Sequence, residues 1–481
     1  MKIRAKCQRL AWAIRRAYTK TIRSRRLWFV FLLAMALNVW RISWLLAKSR
    51  NPSLDTILDS LNCSDANSVS ADKPWLKNFL SERKMLERTI AMEECDSYFT
   101  MISSQALHQV TEEETNFPLA FSHLIHENVG ILEMFLSTHF RPTDTHCIVI
   151  DQKSTVEVQK ATKAVVNCYQ RRFPRNPMFI VDNNISVYNG HISILQAELD
   201  CLEELEKRNK EWKMFLNLAG NDLPLVSMTK IRETLSNHKD QNNFDLGFTP
   251  TNSHQKIRLE IVDNGEGHRS LREYPDTEKA EPPCKLFIMK GYRNVALTRD
   301  FATFLLKSHM VKVFLEWIST TSHPAEHFYA TMGTIQEADG PEDGTKLITQ
   351  RFDMQKSIAS QICFREHLWR PSSHCMLRKS GCNVDLQKSP LMNNMRQEYI
   401  GNNWFAGYCL RKSKWSNCAG SSRERKCLIT LQDSPEIRES GCLFANEFHV
   451  DLDPGAIMCQ VKYVKAQMAE SDAQSKDLNP M

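Results

Sequence analysis

The segment Thr321-Ser-His-Pro-Ala-Glu-His-Phe-Tyr-Ala-Thr331 places a carboxylate, Glu326, two residues after a proline. Such a group can take the proton from a hydroxyl as that hydroxyl attacks, which is general-base chemistry. It can equally be an acid in the first turn of a helix opened by Pro324, where negative charge suits the helix dipole. A second carboxylate, Asp222, lies in Ala219-Gly-Asn-Asp-Leu-Pro224. Aspartate there is either an ordinary turn former or a substrate-positioning group. Between Cys418 and Cys427, Arg423, Arg425 and Lys426 surround Glu424. That cluster is either a cation set for an anionic ligand or a solvated loop.

These groups need a scaffold, and from about residue 117 short apolar runs alternate with helical periods. Leu119 to Ile125, Cys147 to Asp151, Met178 to Asp182 and Trp212 to Leu218 are expected strands. Helices are expected over Ile131 to Phe140, Val156 to Tyr169 and Ile192 to Lys207. The alternation predicts an α/β fold with a mainly parallel sheet flanked by helices and right-handed crossovers. Such sheets bind ligands at the carboxyl ends of their strands. No G-x-G-x-x-G or P-loop follows the first strand, so neither a dinucleotide enzyme nor a P-loop kinase is indicated.

The N-terminus bears on compartment. Residues 1–26 hold ten Lys and Arg and no acid, and an apolar run from Leu27 follows, interrupted at Arg41. The expected organisation is a basic cytosolic tail at 1–26, a signal-anchor transmembrane segment at 27–46, and a lumenal remainder, since positive flanks stay cytosolic. A cleaved signal peptide is the alternative, but no clean small-x-small site follows. Polar residues 47–90 read as a stem, 91–465 as a single lumenal domain, and 466–481 as a flexible tail.

Fifteen cysteines, fourteen of them after the anchor, form no CxxC pair or His/Cys cluster, so they are disulfide candidates rather than zinc ligands. Asn62-Cys-Ser64 and Asn184-Ile-Ser186 are N-glycosylation sequons. The formal charge is +6 and the leader carries +10, leaving −4 for the rest. That balance gives no reason to expect nucleic-acid binding.

Six stretches in order carry a resemblance: Phe117-Pro-Leu-Ala-Phe, Cys147-Ile-Val-Ile-Asp, Leu216-Asn-Leu-Ala-Gly-Asn-Asp-Leu-Pro, Ala296-Leu-Thr-Arg, His323-Pro-Ala-Glu-His-Phe-Tyr-Ala-Thr and Leu443-Phe-Ala-Asn-Glu-Phe. Over roughly residues 60–465 the chain resembles the core-2/I-branching β-1,6-N-acetylglucosaminyltransferases. The resemblance implies a GT-A-like fold and a Golgi single-pass type II topology in the lipid bilayer. It implies inverting transfer of N-acetylglucosamine from UDP-N-acetylglucosamine to a glycoprotein glycan, with no metal and no other cofactor. It makes Glu326 the catalytic base, although the family's usual Asp before it is Ala325 here. It further implies the pairs Cys63–Cys459, Cys95–Cys168, Cys147–Cys201 and Cys418–Cys427.

The expected donor site departs from the family. Where the resemblance calls for two cations facing the leaving diphosphate, the chain has Glu424 and Glu447. Carboxylates there oppose transition-state stabilisation. Three explanations stand open: Arg423, Arg425 or Lys426 replaces the missing cations, the carboxylates recruit a divalent ion, or transfer is lost and the fold serves glycan binding or assembly. Another UDP-sugar, such as UDP-xylose, is a further alternative. Upstream of Asp263 the chain has Thr251, His254, Lys256 and Arg258, which do not identify the acceptor.

Overall fold

The computed structural model describes Met35 and residues 53–64, 74–90, 95–102, 109–175, 178–182, 184–244, 246–248, 257, 279–286, 288–339, 346–350, 373–378, 381–385, 399–400, 419, 422–423 and 426–478. The chain divides into two compact units, residues 1–57 and 58–481. Of the first, only Met35 and residues 53–57 are described, so the expected anchor at 27–46 lies almost wholly outside the described residues. Among the described residues, no helix is long and apolar enough to cross a membrane.

The second unit is built on a five-stranded sheet. Strands β1 (Leu119–Ile125), β2 (Thr145–Ile150), β3 (Met178–Ile180) and β4 (Met214–Ala219) are parallel, and β5 (Ala296–Thr298) adds antiparallel to β4. The order is β3-β2-β1-β4-β5. The registers Ala120↔Thr145 and Leu119↔Met214 bring the carboxyl ends of β1, β2 and β4 to one edge. β1 is buried on both faces, as its almost unbroken apolar run requires of a central parallel strand.

Helices α1 (Val129–His139), α2 (Val156–Arg172) and α3 (Ile192–Arg208) are the crossovers. Thr155 starts α2 by accepting the Val158 amide on its hydroxyl, and Arg171 and Arg172 end it, complementing the helix dipole at both termini. The pleat divides the core: Phe215 packs on the α3 side with Leu195, Leu202 and Phe328, whereas Met214 and Leu216 pack on the other with Phe135 and Val165.

On that second side three fully buried histidines lie among phenylalanines. Nε2 of His123 is 3.0 Å from Nδ1 of His146, and His146 stacks between Phe121 and Phe140. His139 Nε2 is hydrogen-bonded to the Val226 carbonyl at 2.9 Å. Burial pushes His123 and His139 down to about 3 and holds His146 well below the usual imidazole range.

Three disulfides join Cys63 to Cys459, Cys95 to Cys168 and Cys147 to Cys201, and Cys284 is disulfide-bonded as well. Cys418 lies outside the described residues, so the pair implied with Cys427 is not described. Polarity reads 47–90 as a stem, yet the helices Pro74–Phe79 and Glu82–Ile90 fold within the second unit and bury Leu76 and Met85. The last helix, Pro454–Leu478, continues beyond residue 465, where a tail is expected. Both sequon asparagines, Asn62 and Asn184, are exposed.

Candidate active site

β1 connects to β2 on one side, while β4 lies on its other side, so the strand order reverses between β1 and β4. Neighbouring strands whose connections diverge leave a crevice at their carboxyl ends. A cleft of about 360 Å³ occupies this place, lined by His126 and Glu127 after β1, Asp151 after β2, Gly220 and Asn221 after β4, and Arg293. Asp151 is buried, and its carboxylate accepts the Val187 amide at 3.2 Å and the Lys153 ammonium at 2.7 Å. The segment from Val187 to Asn189, which also lines the cleft, is thereby tied to the end of β2.

Glu326 lies in the first turn of α4 (Ala325–Met332), after Pro324 at φ −60°. The helix is anchored by His327, whose Nδ1 is hydrogen-bonded to the Met289 carbonyl at 2.9 Å, and by Thr331, whose hydroxyl accepts the Met289 amide at 3.0 Å. Its approach is set by His323, in the left-handed region at φ 53°, whose amide donates to the Gly190 carbonyl at 2.9 Å. Gly190, at φ 71°, suits this approach, because an added Cβ would be strained there and would stand a tight 3.1 Å from the His323 ring.

The segment Met289–Val295 forms a strap that joins the parts of the site. Lys290 Nζ is 3.0 Å from Glu326 Oε2, and the Gly291 amide donates to the Glu326 carbonyl at 2.6 Å. Burial raises the Glu326 carboxyl, but the Lys290 ammonium and His323 outweigh it and hold the group below the usual range. Glu326 is therefore ionised at neutral pH, the state a proton acceptor requires. Tyr292 donates to Asn446 Oδ1 at 3.4 Å.

Further along, Arg293 Nη1 donates to Glu198 Oε1 at 2.9 Å, and Tyr329, one turn beyond Glu326 in α4, donates to Glu198 Oε2 at 3.0 Å. Burial raises Glu198 while Arg293 opposes it; for Arg293, burial disfavours the charge and Glu198 restores it. Asn294 Nδ2 reaches Asp222 Oδ2 at 3.2 Å.

Asp222 is buried, and it accepts the Ala219 amide at 2.6 Å as well as the Asn446 side-chain amide. Burial raises its carboxyl, partly opposed by the Ala219 amide and by Arg293. Its hydrogen bonds fix the turn after β4 against the strand Phe444–Ala445, which pairs antiparallel with Leu223–Pro224. Glu447 follows Asn446, with Oε2 3.2 Å from His449 Nε2, and its charge contributes to raising Asp222.

The two carboxylates singled out from the sequence thus meet the same strap, Glu326 through Lys290 and Asp222 through Asn294. Arg423 falls in the short strand Ser422–Arg423, paired with Lys426–Cys427, while Glu424 and Arg425 lie outside the described residues. Thr251, His254, Lys256 and Arg258 also lie outside them.

Sequence reasoning missed Lys290, Arg293 and Glu198. Glu198 did leave a signal: it shares the apolar stripe of Leu195, Leu199 and Leu202 on α3, where an acid is buried only with a partner.

A mainly parallel α/β sheet, a cleft at its strand reversal and an ionised carboxylate on an adjoining helix together define the class of open-sheet enzyme that handles a polar ligand at its strand ends. The family model described as "Branch: Core-2/I-Branching enzyme" matches residues 119–406, and the chain belongs to this family. Asp222 and Glu326 lie inside the matched stretch; Arg423, Arg425 and Glu447 lie after it.

Among relatives, the chain is 27% identical over 352 residues to the beta-1,3-galactosyl-O-glycosyl-glycoprotein beta-1,6-N-acetylglucosaminyltransferase 4 of Danio rerio, covering 73% of this chain and 70% of that protein. It is 32% identical over 271 residues to the N-acetyllactosaminide beta-1,6-N-acetylglucosaminyl-transferase of Homo sapiens, covering 55% and 64%. To the beta-1,3-galactosyl-O-glycosyl-glycoprotein beta-1,6-N-acetylglucosaminyltransferase 3 of Rattus norvegicus it is 24% identical over 360 residues, covering 74% and 70%.

Proposed function

We propose that this protein is an inverting glycosyltransferase that moves N-acetylglucosamine from UDP-N-acetylglucosamine to a hydroxyl of a glycoprotein glycan, creating a branch. The observation that carries this reading is Glu326, ionised and held by Lys290 at the start of α4, in a chain of the branching-enzyme family. Glu326 takes the proton of the acceptor hydroxyl while that oxygen bonds to the anomeric carbon. The bond from that carbon to the β-phosphate oxygen breaks, its electron pair leaves with UDP, and the configuration inverts.

Asp222 holds the turn beside the cleft rather than reacting, since its oxygens accept from Ala219, Asn294 and Asn446. Arg423 and Arg425 are proposed to face the diphosphate, and the transfer is proposed to need no metal ion. The basic leader and the apolar run after it support a Golgi membrane location with the catalytic domain in the lumen.

One observation favours a second reading, a lumenal glycan-binding or assembly protein that no longer transfers sugar: Glu447 follows Asn446, where the resemblance implies a cation. Mass spectrometry separates the two readings. The purified protein is incubated with UDP-N-acetylglucosamine and acceptors ending in β-1,3-galactosyl O-glycans or N-acetyllactosamine. A product of one added N-acetylglucosamine, absent with Glu326→Gln, supports the transferase. No product with any acceptor, together with no binding of the UDP-sugar, sinks it.

A further inference from the structure

We propose that Arg293 is a donor-site residue, a cation that binds the diphosphate of UDP in the cleft at the carboxyl ends of β1 and β4. The proposal rests on the transferase reading above and assigns a role to a residue outside the motifs that carry the resemblance.

Position is the first argument. Arg293 lines the cleft at the strand reversal, and among the described lining residues it is the one Lys or Arg. Glu127 and Asp151 also line it, and the Lys153 ammonium is already engaged by Asp151 at 2.7 Å, which leaves Arg293 as the lining cation for an anionic ligand. A diphosphate left facing carboxylates without a cation would bind poorly.

Orientation is the second. The Arg293 side chain is 20% exposed, and among the described residues Glu198, at 3%, is its sole hydrogen-bond acceptor, engaged through Nη1. A guanidinium carries five N–H donors in a rigid planar fork. Asp222 also acts on the Arg293 charge, but with one corner fixed by Glu198 the other donors make no hydrogen bond to a described residue and can serve a ligand in the cleft. Glu198 is itself held by Tyr329, so the fork is oriented before any ligand arrives. A pre-set arginine fork suits phosphate oxygens, which accept paired, charge-assisted hydrogen bonds.

Connection to the rest of the site is the third. Arg293 is three residues after Lys290, the partner of Glu326, and directly before Asn294, the partner of Asp222. Tyr329 ties the same ion pair to the helix that carries Glu326. A ligand held by Arg293 is therefore referenced to the candidate base through two short links. Glu447 stands where the resemblance implies a positive charge, and Arg293 would add to the cations proposed at Arg423 and Arg425.

Calorimetric titration of the purified full-length chain with UDP and with uridine tests the proposal, because only UDP carries the diphosphate. Wild type is expected to bind UDP. Arg293→Met is expected to bind UDP at least tenfold more weakly with uridine affinity unchanged, and Arg293→Lys to fall between. Should Arg293→Met misfold because Glu198 is left buried and unpaired, the double variant Glu198→Gln/Arg293→Met removes both charges and decides.

UDP affinity equal to wild type in a folded variant overturns the role of Arg293 and leaves the transferase reading standing. Equal loss of UDP and uridine marks a structural role and likewise overturns it. A folded wild type that binds neither UDP nor UDP-N-acetylglucosamine overturns both.

Discussion

Lys290 and Glu326 form an ion pair, Nζ to Oε2 at 3.0 Å, across the junction between the strand Met289–Lys290 and the first turn of α4. Burial and Lys290 act on Glu326 in opposite directions, and the ammonium, aided by His323, prevails. The relationship explains how a carboxylate at a partly buried helix start stays ready to accept a proton.

Replacing Lys290 by Met removes the lowering influence and leaves burial, so the apparent pKa of Glu326 rises. The acid limb of kcat/KM against pH is expected to move to higher pH, with activity at neutral pH reduced less than activity on the acid side. Glu326→Gln is expected to abolish transfer by at least about 10²-fold, the lower end of general-base contributions, while UDP still binds. A pH-rate profile of Lys290→Met coincident with wild type would separate the lysine from the base.

Glu447→Lys is expected to strengthen UDP binding. The change removes a like charge near the proposed diphosphate position and supplies a cation. A charge-assisted hydrogen bond contributes about 1.5–3 kcal/mol, and every 1.4 kcal/mol is about tenfold in affinity. Calorimetry should therefore show at least about a tenfold tighter Kd; an unchanged Kd would place Glu447 away from the donor.

The histidine cluster is expected to contribute to the loss of stability in acid. His123 and His139 are held at about 3 in the folded state by burial, against about 6.5 in an unfolded chain. Because the folded value is depressed, the stability they lend is complete above about pH 6.5 and is lost as pH falls toward 3, at about 1.4 kcal/mol per pH unit for each. Urea denaturation midpoints at pH 7, 6 and 5 should fall progressively. His146→Phe keeps the stack with Phe121 and Phe140 and should flatten that slope by one histidine's share, although it deprives His123 of its ring partner.

Gly190→Ala should impair the site without touching a reacting group. At φ 71° a Cβ is strained, and it would press on the His323 ring at 3.1 Å. A left-handed alanine costs about 1–2 kcal/mol, and displacement of His323 shifts the start of α4. Lower kcat with nearly unchanged UDP affinity is the expected result. A variant with wild-type kcat and only reduced melting temperature would show that the approach of His323 does not matter to Glu326.

Much of the scaffold was legible because its signals are local. The run from Leu119 to Ile125 is apolar at five of its seven positions, and it is found as β1 over that same range. The periods over Val156 to Tyr169 and Ile192 to Lys207 are found as α2 and α3, each running slightly further to a basic C-terminus. Glu326 and Asp222 stood out through the resemblance, since a proline or a turn accounts for an acid at either place equally well.

The sequence by itself therefore determined the alternation of strand and helix and the parallel core of the sheet. Tertiary structure alone decided that Met289–Val295 is the strap between Glu326 and Asp222, that β5 closes the sheet antiparallel, and that Glu198, 95 residues before Arg293, orients its guanidinium. Periodicity and turn chemistry act over a few residues, whereas a buried ion pair between distant segments exists only once packing has excluded water and brought both charges to the same place.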